Sequence, residues 1–150
     1  MSPFSPPDPA FEGHVRAGFA RQQLMAQLNA SVARVSPGEV HLAMPFAAAW
    51  TQQDGFVHAG IITALVDSAC GFAAHTLMPP GAGVLTVEYK VNFLNAARGD
   101  RFVAIGRVVK AGRTLTVCRG DAIAYTADEE TLIATMQATM MAIRGQPAKR

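Results

Sequence analysis

Asp67 is the single Asp, Glu, Lys or Arg between Asp54 and Glu88. It stands in HAGIITALVDSACGFAAHTL, a segment otherwise apolar or small. An unpaired carboxylate is costly to bury, so an acid placed there has a partner, a raised pKa or a task. Three residues before it mark a helix start: Gly55, His58 and Gly60. At a helix N-terminus the backbone N–H groups lack intrahelical acceptors and the dipole favours negative charge. Glycine there admits a carbonyl close to the backbone, which suits polarisation of an acyl group.

Gly60 and Asp67 are seven residues apart and share nearly one helical face. The helical rise separates them by roughly 10 Å along the axis. One acyl carbon cannot be within hydrogen-bond reach of both in the same chain. If both act on one group, Asp67 comes from a second copy across a two-fold axis.

The elements that must position these residues follow from periodicity. Phe11, Val15, Phe19, Leu24, Met25 and Leu28 predict a helix over residues 11–28. Ser31–Val35 and Glu39–Met44 read as strands joined by Ser36-Pro37-Gly38, and Met78-Pro79-Pro80-Gly81 ends a helix over Ala59–Leu77. From Leu85 apolar and polar residues alternate through Phe93, and further strands follow at about Phe102–Lys110, Thr114–Ala124 and Leu132–Ile143. The central helix is apolar almost all round, so it must be enclosed on every side. An antiparallel sheet curled around it covers part, and a second subunit is expected to cover the rest. Small residues Thr63, Ala64, Cys70, Gly71 and Ala74 are expected on the Asp67 face.

Composition bounds the rest. With 150 residues, 50% hydrophobic and 16% charged, one domain at residues 11–145 is expected, between a flexible N-terminal arm at 1–10 and a tail at 146–150. Net charge is +2 with scattered basic residues, which gives no nucleic-acid footprint. Cys70 and Cys118 show no metal spacing and read as buried free thiols. Neither a signal peptide nor a membrane span is visible, and a cytoplasmic location is the expectation. Cys70 with His75 is a poor nucleophile pair, since five residues along a helix point them apart. His75 itself reads as a helix-end residue.

The run Gln52-Gln53-Asp54-Gly55-Phe56-Val57-His58-Ala59-Gly60, followed by Asp67, resembles the hotdog-fold acyl-CoA thioesterases of the phenylacetate-degradation (PaaI-like) type. Their pattern is a polar amide residue, a glycine, then His-Gly-Gly at the helix start, with an acid nine positions after the His. His58 to Asp67 is nine positions. The strand Leu85–Leu94 and the Gly112-Arg113 hairpin are also similar. Two positions depart: Ala59 replaces the first glycine after His, and Gln52 stands where relatives often have Asn.

The resemblance implies an α+β hotdog fold, a curved antiparallel sheet around a long helix, in a homodimer with shared sites that can pair into a tetramer. It implies that the Gly60 N–H polarises a thioester carbonyl while the partner's Asp67 acts as general base or nucleophile. Thr86 would orient water, Gln52 would bind the carbonyl side, and His58 would hold the helix start. Arg98 and Arg113 could meet the coenzyme A phosphates. Coenzyme A enters only as part of the substrate, and no metal or redox cofactor is expected. A hydratase or dehydratase and a non-catalytic acyl-CoA-binding module are the alternatives. A structural Asp67, paired with a cation or capping backbone, is the plainer one.

Overall fold

The computed structural model describes residues 3–144. Two short helices, α1 (Phe11–Ala20) and α2 (Gln23–Gln27), precede the strands β1 (Ser31–Ser36) and β2 (Glu39–Pro45). A 3-10 turn at Ala48–Trp50 leads to the long helix α3 (Ala59–His75). Then come β3 (Gly83–Phe93), β4 (Arg101–Lys110), β5 (Leu115–Tyr125) and β6 (Glu130–Ile143). All neighbouring strands are antiparallel, in the order β1-β2-β4-β5-β6-β3. This is the hotdog fold that the resemblance implies.

The single helix expected over residues 11–28 is broken at Arg21-Gln22, where Gln22 turns extended with ψ 105°. The cause is a mismatch of faces. On a straight helix Met25 would point about 80° and Leu28 about 140° away from Val15. All three are fully buried, and only a break lets them share one core. At the far end, α3 stops two residues before the expected Leu77. The Thr76 hydroxyl donates to the Ala73 carbonyl at 2.7 Å and accepts from the Gly38 N–H at 2.7 Å, tying the helix end to the β1–β2 turn.

Two glycines let α3 sit down on the sheet. A Cβ on Gly106 of β4 would overlap the Ala69 backbone, and one on Gly120 of β5 would strike Val66 and the Cys70 sulfur. Ile62, Leu65, Val66, Ala69 and Ala73 are thereby buried against inner-face residues including Leu42, Phe102 and Met136. Cys70 and Ala74, expected on the Asp67 face, are fully buried in this core instead. Only Thr63, Ala64 and Gly71 of the small residues stay partly open beside Asp67.

β3 is an edge strand that pairs with β6 alone. Its register shifts between Thr86 and Glu88, so Val87 is bulged and the alternation read from the sequence changes phase there. Leu85, Val87, Tyr89 and Phe93 are all about half exposed. Of the expected N-terminal arm, the described part is draped over the domain: the Phe4 ring packs against Gly38, and Asp8 is buried. The C-terminal tail lies outside the described residues.

Candidate active site

Asp67 lies on the α3 face that the sheet does not cover, and it is half-buried. The Thr86 hydroxyl, on β3 just before the bulge, donates to Asp67 Oδ1 at 2.8 Å. Burial raises the Asp67 pKa above the ordinary carboxylate value, and the Thr86 hydrogen bond opposes that rise. No cation pairs with Asp67 among the described residues, so the reading of it as one half of an ion pair finds no support within the chain. Asp67 and Thr86 border a cavity of about 200 Å³ that Gln22, Ser68, Phe72 and Val84 also line.

The start of α3 is held from several sides. The His58 N–H donates to the Trp50 carbonyl at 2.8 Å, and the Val57 N–H to the Ala97 carbonyl at 3.1 Å. His58 is the helix N-cap, with its Nδ1 accepting from the Gly60 N–H at 2.9 Å, so the neutral ring carries its proton on Nε2. The ring sits close over Gly60: a Cβ there would come to 3.1 Å from Nδ1, and the imidazole would have to shift by a few tenths of an ångström. The N–H that the sequence assigned to a ligand carbonyl is therefore engaged within the chain. No described residue accepts from the Ala59 N–H, one position earlier, which leaves it as the open donor of this first turn.

The Gln52 amide makes no hydrogen bond to this helix start, although Gln52 borders the cavity beside Ala59. Its Oε1 accepts from the Asp54 and Phe56 N–H groups, the latter at 3.3 Å, and its Nε2 donates to Asp54 at 3.3 Å. The amide thus shapes the 52–56 turn, in which Gly55 takes φ 82°. A second, more apolar cavity of about 190 Å³ adjoins Ala59, with Phe56, Ile62, Phe93 and Ile133 in its wall. The Arg98 guanidinium lies 5.3 Å from the Phe56 ring centroid, beside this end of α3. Arg113 is on the β4–β5 hairpin, whose Thr114 carbonyl accepts from Ala142 next to the start of β3. One chain therefore holds the two arginines at different ends of its site region.

The structure brings together Asp67 and Thr86 on one side and His58, Gly60 and Gln52 on the other, and leaves the two groups apart along α3. The remaining candidates drop out on burial. Cys70 is fully buried and its thiol pKa is pushed well up by desolvation. His75 has its Nε2 against the Ala82 carbonyl at 3.0 Å, and burial lowers its pKa. Sequence reasoning passed over Gln22 and Ser68, which share the Asp67 cavity. Their Ser68 Oγ to Gln22 Oε1 hydrogen bond, 3.3 Å long, depends on the α1–α2 break.

With this geometry in view, the relatives are informative. Residues 54–130 match the family model described as the thioesterase superfamily. A Halobacterium salinarum relative, named as an esterase, is 36% identical over 114 residues, covering 71% of this chain and 75% of its own. The crystal structure of a thioesterase family protein from Silicibacter pomeroyi is 54% identical with a TM-score of 0.89, covering 90% of this chain and 99% of that one. The Escherichia coli PaaI protein of the phenylacetic acid degradation operon shares the fold, with a TM-score of 0.80 at 17% identity over 91% of this chain and 95% of its own. The conserved shape, the family match and the close relatives agree: the chain belongs to the thioesterase superfamily, in its hotdog-fold form.

Proposed function

We propose that the protein hydrolyses an acyl-CoA thioester to a carboxylic acid and free coenzyme A, working as a homodimer with shared sites. The observation that carries this reading is the Asp67 carboxylate, half-buried, free of any cation among the described residues and oriented by Thr86. Thr86 occupies Oδ1, which leaves Oδ2 to take a proton from water. That water attacks the carbonyl carbon, and negative charge gathers on the carbonyl oxygen. The C–S bond then breaks, and the departing thiolate takes up the proton as coenzyme A. A thioester is already activated, so a base and an N–H donor suffice.

The donor for the oxyanion is assigned to the first turn of α3, where the Ala59 N–H is open and the Gly60 N–H is fastened to His58. His58 keeps that turn in shape, and Gln52 shapes the 52–56 turn that precedes it. Asp67 and the first turn of α3 are too far apart to meet one carbon within a chain. The uncovered face of α3 and the half-exposed apolar edge of β3 support a two-fold partner that brings Asp67 to the other chain's helix start.

Asp67→Asn keeps an acceptor for Thr86 but cannot take a proton. Thiol release from aryl, short-chain and medium-chain acyl-CoAs is expected to fall by at least about a hundredfold, with the dimer intact. Full activity of that variant would overturn the assignment. Tight acyl-CoA binding without turnover by the natural protein would instead favour a binding module, and a change in enoyl absorbance a hydratase.

A further inference from the structure

We propose that Gln22 is a specificity-determining residue, whose amide receives a hydrogen-bonding substituent on the acyl group of the substrate. This rests on the thioester reading above and extends it to the acyl moiety. Gln22 occupies the N-cap position of α2 yet its side chain makes no cap bond to that helix. It turns across to α3, where Oε1 accepts from Ser68 Oγ at 3.3 Å. No described residue accepts from Nε2. Gln22 and Ser68 border the cavity that holds Asp67 and Thr86, and its other walls include Phe72 and Val84.

Size and polarity together define the occupant. A cavity of about 150 Å³ accepts a benzene ring. The space beside Asp67, about 200 Å³, suits one ring or a short chain with a small substituent. The wall sets the apolar Phe72, Val84 and Leu85 beside the polar Gln22 and Ser68, so it discriminates by chemistry as well as by length. A hydroxyl or carbonyl on the acyl group satisfies Nε2, whereas an unsubstituted group leaves that donor unpaired once substrate closes the cavity. The carboxylate and Thr86 act at the thioester carbonyl, and Gln22 reads the other end.

The test uses matched pairs of thioesters that differ by one hydroxyl: hydroxybenzoyl-CoA against benzoyl-CoA, and 3-hydroxybutyryl-CoA against butyryl-CoA. The natural protein is expected to favour the hydroxylated member of at least one pair in kcat/KM. In Gln22→Leu that preference is expected to fall about tenfold, the worth of a neutral hydrogen bond. Ser68→Ala, which unfastens the amide without removing it, is expected to lose a smaller part. A ratio of two substrates on one preparation is indifferent to a loss of folded protein. Equal ratios in the natural protein and Gln22→Leu, with both active, overturn the role of Gln22 and leave the thioesterase reading standing. Absence of thiol release from every thioester by the natural protein overturns both.

Discussion

Asp67 is pulled in two directions, by burial that raises its pKa and by Thr86 that lowers it. Each has a separate readout. The folded protein holds the Asp67 proton more tightly than the unfolded chain. That contribution to stability is complete below the unfolded pKa and is lost as pH rises through the folded one. Near pH 7 the ionised carboxylate is therefore a net cost. Asp67→Asn is expected to raise the thermal midpoint at neutral pH, with the difference closing as the pH drops below the ordinary aspartate range. A midpoint lowered at neutral pH would mean that the carboxylate stabilises the fold. Thr86→Val removes the opposing influence, so the acidic limb of kcat/KM should move to higher pH, with a plateau rate about tenfold lower. Loss of rate with an unmoved limb would reduce Thr86 to a packing role.

At the scale of elements, the sheet tolerates α3 only where β4 and β5 carry glycine. Gly106→Ala would place a methyl on the Ala69 backbone, which has no rotamer with which to yield. Such overpacking is expected to cost about 1–3 kcal/mol in denaturant unfolding, whereas Gly13→Ala on α1, where nothing lies within 4 Å, should be neutral or stabilising. Equal midpoints for the two variants would show that α3 can lift from the sheet. The strands and the central helix were legible because period two and an unbroken apolar run are local signals. Asp67 was legible for the same reason, as one acid in a long apolar stretch. The α1–α2 break was not, because Val15, Met25 and Leu28 agree only once the core they share exists. Gln22 was hidden with it, and so was the diversion of the Gly60 N–H to His58. Those are contacts across a turn or between helices, which spacing along the chain does not encode.

The whole molecule poses the question of where one site begins and another ends. The sheet leaves the apolar edge of β3 half exposed and one face of α3 open, and the two candidate half-sites lie on that same open side. If a two-fold partner closes it, each site takes Asp67 and Thr86 from one chain and the first turn of α3 from the other. Two damaged chains can then repair one another. Asp67→Asn removes the base, and His58→Leu removes the N-cap that shapes the donor turn, so each variant alone should have little activity. When the two are mixed in equal amounts and allowed to re-associate, about half of the dimers are hybrids, and each hybrid holds one undamaged site, for a recovery of about a quarter of natural activity. A site contained within one chain permits no recovery at any mixing ratio, because every chain carries a lesion. The same experiment on a Val87→Lys, Tyr89→Lys background, which puts charge on the β3 edge, should show monomers by light scattering and no repair.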